Sequence, residues 1–260
     1  MAKKDIVKKK KNEVIREAKI DNVYKNDPKL VASIVLSVII IILVLISIFV
    51  MNGEFDFNKS GKDNKVTDSQ KFEKEYEDYN NKDNGWGNKH ISVEASNKIV
   101  KYSDYDEVFS ILKDGTGVIY FGFPTCPWCR NLVPVLLDAA EEVGIDTIYY
   151  LNNLDSRDVK KINDDGEIVV EKEGTKNYYK LVDKLSSVLG EYEGLNDSSI
   201  KRLYFPTVIV VKDGKILGSQ ISTVDSQKDP YVKLNDSQYK ELKDTLEDLM
   251  YKTISCDGAC

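Results

Sequence analysis

Residues 123–130 read Phe-Pro-Thr-Cys-Pro-Trp-Cys-Arg, and the stretch that leads into them, Gly117 to Phe123 (GVIYFGF), is a continuous apolar run bounded by turn residues. Such a run is the signature of a buried central strand. Beyond it, Leu132, Val133, Leu136, Leu137, Ala140 and Val143 recur at helical spacing until Gly144 stops the pattern, with Pro134 inside it as a kink residue. A strand, a short turn and a helix in succession put Cys126 and Cys129 at a helix start. Unpaired N–H groups and the helix dipole there favour a thiolate at the first cysteine, and the spacing lets the second close a small disulfide with it. Cys126 is therefore the expected nucleophile, with a lowered pKa and more exposure than Cys129; Cys129 is the expected resolving thiol, which attacks Cys126 once a mixed disulfide has formed. An inert crosslink, or a zinc site completed by Cys256 and Cys260, is the alternative, but Pro127 at the helix start suits redox chemistry better than a metal knuckle. No metal and no cofactor is expected. Arg130 reads as a surface arginine near enough to assist electrostatically.

Working outward, Ile99 to Tyr102 is a short strand, and Ser103 is placed to cap a helix carrying Val108, Phe109, Ile111 and Leu112 that ends at Asp114-Gly115. On the other side, Asp146 to Leu151 (DTIYYL) is a second buried strand. Residues 153–202 form a polar insertion with a hairpin turn at Asp165-Gly166 and a helix holding Tyr178, Leu181, Val182, Leu185, Val188 and Leu189. Thr207 to Val211 (TVIVV) is the third buried run, and Asp213-Gly214 turns it back into an antiparallel edge. Asn235 with Gln238 starts a last helix with Tyr239, Leu242, Leu246 and Leu249 on one face. The order is β-α-β-α-β, insertion, β-β-α, an α/β fold whose mixed sheet is covered by helices on both faces.

The chain has 260 residues, 42% hydrophobic and 31% charged, which excludes collagen-like, wholly disordered and disulfide-dense scaffolds. Leu30 to Met51 (LVASIVLSVIIIILVLISIFVM) carries no charge and is long enough to cross a bilayer. Before it, residues 1–29 hold ten Lys/Arg against five acids, so this tail is +5 and everything after Met51 sums to −11 of the formal −6. The positive-inside rule puts the N-terminus in the cytoplasm, and the length of the run favours an uncleaved signal anchor over a cleaved signal peptide. All four cysteines then lie on the side where disulfides persist. The acidic outer portion gives no case for nucleic-acid binding. From 52 to 97 the sequence is rich in Asn, Lys, Asp, Glu and Gly without an apolar period and reads as a flexible stalk, with its one histidine, His90, exposed; Phe72, Tyr76 and Tyr79 share a helical face with no visible partner. The globular part is expected over 98–252.

Two motifs carry a family resemblance. Phe123 to Arg130 after a buried strand, with Tyr204-Phe205-Pro206-Thr207-Val208 before the hairpin, resembles the thioredoxin superfamily over about residues 98–252. Within it, PTCPWCR is most similar to membrane-anchored thioredoxin-like proteins known as bacteriocin transport accessory proteins. The resemblance implies a thioredoxin-like fold and thiol-disulfide oxidoreductase activity, with Cys126 attacking and Cys129 resolving. Pro206 matches the cis-proline beside the dithiol, and Phe205, Pro206 and Trp128 the substrate-contacting positions. The implied partners are disulfide- or thiol-containing exported proteins or peptides and a membrane redox partner that recharges the dithiol; the rival implication is an accessory module for a peptide exporter, with redox turnover secondary. One position departs from the family: Tyr120 stands where many thioredoxins carry a buried acid, which leaves water or a carboxylate of the insertion as proton acceptor for Cys129. In the tail 253–260, Cys256 and Cys260 form either a second dithiol that exchanges with the first or a closed terminal crosslink. The Lys, Asn, Ile and Tyr bias fits an AT-rich, single-membrane bacterium.

Overall fold

A computed structural model describes residues 66–254 together with the helical positions Lys29, Ala32, Ser33, Leu36 and Ser37. The chain divides into two units between Lys65 and Val66. Among the described residues no helix is long and apolar enough to cross a membrane. Most of the 30–51 run and the basic tail before it lie outside the described residues, as do Cys256 and Cys260.

The second unit begins with helix α1 (Asp68–Glu77), followed by β1 (Val100–Tyr102), α2 (Tyr105–Asp114), β2 (Gly117–Phe121), α3 (Pro127–Val143) and β3 (Ile148–Leu151). A hairpin of β4 (Val159–Ile162) and β5 (Ile168–Lys172) and helix α4 (Lys176–Leu185) make up much of the insertion. Strands β6 (Thr207–Lys212) and β7 (Lys215–Ile221) and helix α5 (Asp236–Ile254) complete the unit. The main sheet runs β1-β3-β2-β6-β7; its first three strands are parallel to one another, β6 runs antiparallel to β2, and β7 runs antiparallel to β6. Two helix pairs flank it, α3 with α5 and α2 with α4. This mixed α/β arrangement fits a thioredoxin-like fold.

Register explains how two distant motifs meet. Phe121 at the end of β2 lies opposite Thr207 at the start of β6. The chain leaving β2 toward Cys126 and the chain entering β6 from Pro206 thus meet at the same end of the strands. The two strands earn this central place by burial, because Val118 to Phe121 and Val208 to Val211 are all fully enclosed. At the opposite end Asp213 and Gly214 turn the chain with φ of 50° and 74°, the left-handed pair a two-residue hairpin needs. A side chain at Gly214 is barred twice over, since a Cβ there would stand 2.2 Å from the Lys113 carbonyl oxygen.

The stretch expected as a stalk is, from Val66 onward, part of this folded unit. Thr67 and Gln70 form a reciprocal capping box that starts α1. Asp68 then accepts from the Tyr102 N–H at 2.9 Å, and the Ser69 hydroxyl donates to the Val100 carbonyl at 3.0 Å. α1 thereby covers the open edge of β1, whose backbone groups would otherwise be free to pair with another strand. The missing apolar partner for Phe72 and Tyr76 is aromatic and comes from the sheet: Phe72 meets Tyr150 edge-on at 4.9 Å and Tyr120 at 6.4 Å. The following residues are pinned by side chains, with Asn80 bridging both backbone groups of Val93 and Glu77 accepting from the Ala95 N–H. His90 is buried, not exposed, packing edge-on against Tyr79 at 5.4 Å. Burial and the nearby Arg130 charge lower its pKa.

Smaller corrections concern caps. Asp104, not Ser103, caps α2 by accepting from the Glu107 N–H at 2.9 Å, while Ser103 donates to the Glu107 carboxylate. Asn235 and Gln238 cap α5 reciprocally, as the sequence predicts.

Because Phe72 is fully enclosed, Phe72→Ala should destabilise the unit by about 3–5 kcal/mol in urea unfolding. A shift under about 0.5 kcal/mol, as for a solvent-facing stalk residue, would refute the docking of α1.

Candidate active site

Cys126 is the N-cap of α3, and Pro127 takes the first helical position, where its missing N–H costs nothing. Both cysteines are free thiols. The Cys129 N–H donates to the Cys126 sulfur at 3.2 Å, and the Cys126 thiol points at the Phe205 carbonyl, 3.7 Å away. The Phe205–Pro206 peptide bond is cis, as the resemblance implies. Cys126 is 5% exposed and Cys129 0%, the expected order, although both are buried. Trp128 and Phe123 are half-buried at the rim, and Phe123 meets the Phe205 ring edge-on at 5.3 Å.

Opposed forces act on the two thiols. Burial alone would raise the Cys126 pKa, yet hydrogen bonds from the Cys129 thiol and from the Cys129 and Trp128 N–H groups, joined by the Arg157 charge, bring it below the ordinary thiol value. Cys129 is pushed far the other way, first by complete burial and then by the neighbouring Cys126 sulfur. The surroundings thus favour a thiolate at Cys126 and a protonated thiol at Cys129, a difference that suits one to attack and the other to hold its proton.

Arg130 does not lie at the surface. It is 0% exposed, and its guanidinium donates to the carbonyls of Ile91 (2.9 and 2.8 Å), Tyr76 (2.8 Å) and Pro124 (2.9 Å) and to the Asn80 side-chain oxygen. It acts as a clamp for the loop before Cys126. The electrostatic help that the sequence suggested from Arg130 comes instead from Arg157, a residue of the insertion that no local pattern singles out.

Behind Cys129 lies a tyrosine cluster. Tyr120 is fully buried, stacks on Tyr150 with 5.5 Å between ring centroids, and shares a 2.8 Å hydrogen bond with the Tyr76 hydroxyl. Its hydroxyl also favours the Cys129 thiolate, a small pull against the effect of burial. If the Tyr120 proton is directed to that sulfur, the bond to Tyr76 must run from Tyr76 as donor, since each phenol has one proton. Gly122 makes room for the arrangement, because a Cβ there would lie 2.2 Å from the Tyr120 hydroxyl oxygen. Burial raises the pKa of Tyr76 and Tyr120 well above the usual phenol value, so both stay neutral donors. Tyr76 was beyond reach in the sequence, lying 44 residues before its partner in a polar stretch.

No protein-family profile matches the chain, and no curated protein matches it. Among solved structures, thioredoxin O2 from Arabidopsis thaliana in its oxidised state aligns at 20% identity over 58% of this chain and 92% of that one, with a TM-score of 0.31.

Two outcomes are expected. Iodoacetamide should label Cys126 at pH values below the ordinary thiol pKa of about 8.5, while Cys129 stays unlabelled until the protein is denatured; equal labelling of both would refute the asymmetry. Tyr120→Phe should destabilise the fold by about 1–3 kcal/mol by stranding the Tyr76 hydroxyl, and should slow resolution of a mixed disulfide while leaving its formation unchanged. Stopped-flow turnover with a thiol-reactive disulfide separates the two steps.

Proposed function

We propose that the chain is a membrane-anchored, extracytoplasmic thiol-disulfide oxidoreductase that acts on exported proteins or peptides through Cys126 and Cys129. The observation that carries this reading is the opposed preparation of two thiols three residues apart, one favoured as thiolate at a helix start and one sealed and protonated behind it. In the reducing direction the Cys126 thiolate attacks one sulfur of a substrate disulfide, and the other sulfur leaves as a thiolate that takes up a proton. Cys129 then loses its proton and attacks Cys126, releasing the second substrate thiol and closing the Cys126–Cys129 disulfide. The same steps in reverse oxidise a substrate dithiol. Phe205, whose carbonyl already faces the Cys126 sulfur, and Trp128 at the rim are the proposed substrate contacts.

The anchor and orientation rest on the uncharged run 30–51 and the basic tail before it. On that topology the dithiol faces the side where disulfides persist, and a membrane partner must exchange electrons with it. Cys256 and Cys260, if they form a second dithiol, would exchange with the first or with that partner.

The test is to equilibrate the full-length protein in detergent across a glutathione redox series and map cysteine pairing by mass spectrometry. A reversible Cys126–Cys129 pair is expected. A potential near about −270 mV would mark a reductase and one near about −120 mV an oxidase. Absence of any reversible pair, or a cellular role that survives Cys126→Ser, would overturn the reading in favour of a binding module.

A further inference from the structure

Two arginines of the insertion act on each other without acidic partners at ion-pair distance among the described residues, and the charge of one of them, Arg157, also acts on Cys126. Arg157, just after the turn Leu154–Ser156, holds its guanidinium carbon 4.9 Å above the Phe205 ring, and Phe205 is the residue whose carbonyl faces the Cys126 sulfur. Arg202 lies three residues before Phe205, with its guanidinium carbon 4.2 Å from the Tyr192 ring and 5.7 Å from the Tyr204 ring. Both are half-buried, and the Arg202 Nε is buried with no hydrogen-bond partner among the described residues. Among those residues neither guanidinium has a carboxylate at ion-pair distance. The acid beside Arg157, Asp158, is itself buried and pairs with Lys160 at 3.2 Å. The other titratable groups that interact with Arg157 are Arg202, the phenols of Tyr178 and Tyr192, and the Cys126 thiol.

The contrast with Arg130 is instructive. Where this fold uses an arginine as an internal clamp, it gives every guanidinium nitrogen an oxygen. Arg157 and Arg202 lie over aromatic rings, and among the described residues the buried Arg202 Nε has no hydrogen-bond partner. Each is partly desolvated and each repels the other, a combination that a bound carboxylate would relieve through charge-assisted, fork-shaped hydrogen bonding. We propose that Arg157 and Arg202 form a carboxylate-binding subsite that selects disulfide substrates carrying an acidic side chain next to the reacting cysteine. The proposal rests on the oxidoreductase reading for its placement beside Cys126, but binding can be read without turnover.

The test uses the full-length protein in detergent and two disulfide-linked peptides, acetylated and amidated so that no terminal carboxylate remains, identical except for Glu or Gln beside the cysteine. In single turnover the Glu peptide should react with the reduced protein about tenfold faster than the Gln peptide at low salt, and the ratio should fall toward one in Arg202→Gln and in Arg157→Gln. Titration of the same peptides into Cys126→Ser should show the same preference as a difference in Kd. A ratio near one in the unaltered protein, or a ratio that survives both substitutions, overturns the subsite. So does an Arg157→Gln effect that slows both peptides equally and only shifts the pH profile, which would make Arg157 a thiolate-tuning group alone. If neither peptide reacts yet the Kd preference persists, the oxidoreductase reading fails and the carboxylate subsite stands.

Discussion

Arg130 carries a positive charge into the interior on a side chain with no exposed surface, and all the oxygens that receive its protons are neutral. An uncompensated buried charge costs several kcal/mol, so the fold is stable only while these acceptors are held in place. They come from three separate places: the end of α1 at Tyr76, the following segment at Asn80 and Ile91, and Pro124 two residues before Cys126. A single side chain on the first turn of α3 therefore fixes the N-terminal segment and the active-site loop together. Tyr76 is held by its carbonyl to Arg130 and by its hydroxyl to Tyr120, so the same clamp also sets the cluster behind Cys129.

The two cysteines show how a fold divides one chemistry between neighbouring identical groups. They differ in position by three residues, the first capping the helix and receiving the N–H groups of its first turn, the second fully enclosed where the donors that reach it are outweighed by burial. Cys126 receives those donors; Cys129 gives one and is itself enclosed. Burial disfavours charge on both sulfurs and prevails at Cys129, whereas at Cys126 the hydrogen bonds and the Arg157 charge overcome it.

Much of this was legible in the sequence where the signal is local. The buried runs 117–123, 146–151 and 207–211, the helix after Cys129, the Asp165-Gly166 and Asp213-Gly214 turns and the capping pair Asn235 and Gln238 each declare themselves within a few residues. Phe205 and Pro206 were legible through family resemblance, not through periodicity. What stayed hidden depends on contacts between distant parts of the chain. α1 offers few apolar residues in a polar stretch, and its partners are tyrosines of β2 and β3. His90 looks like one polar residue among many because its burial is produced by Tyr79 and the neighbourhood of Arg130. Arg130 reads as a surface arginine and Arg157 is not singled out at all, since nothing in one dimension distinguishes an arginine that makes five hydrogen bonds to four oxygens from one stacked on an aromatic ring.

The clamp also bears on how such a fold could be passed between proteins. The segment from β1 onward contains every strand of the main sheet and both cysteines, and in outline it is a self-contained module. Yet cutting it out at Lys98 would strip four of the five guanidinium contacts from Arg130 and leave the Tyr120 hydroxyl without Tyr76. Recombination at that point would transfer the Cys-Pro-Trp-Cys motif without the contacts that enclose it, so the N-terminal helix and the sheet are one structural unit.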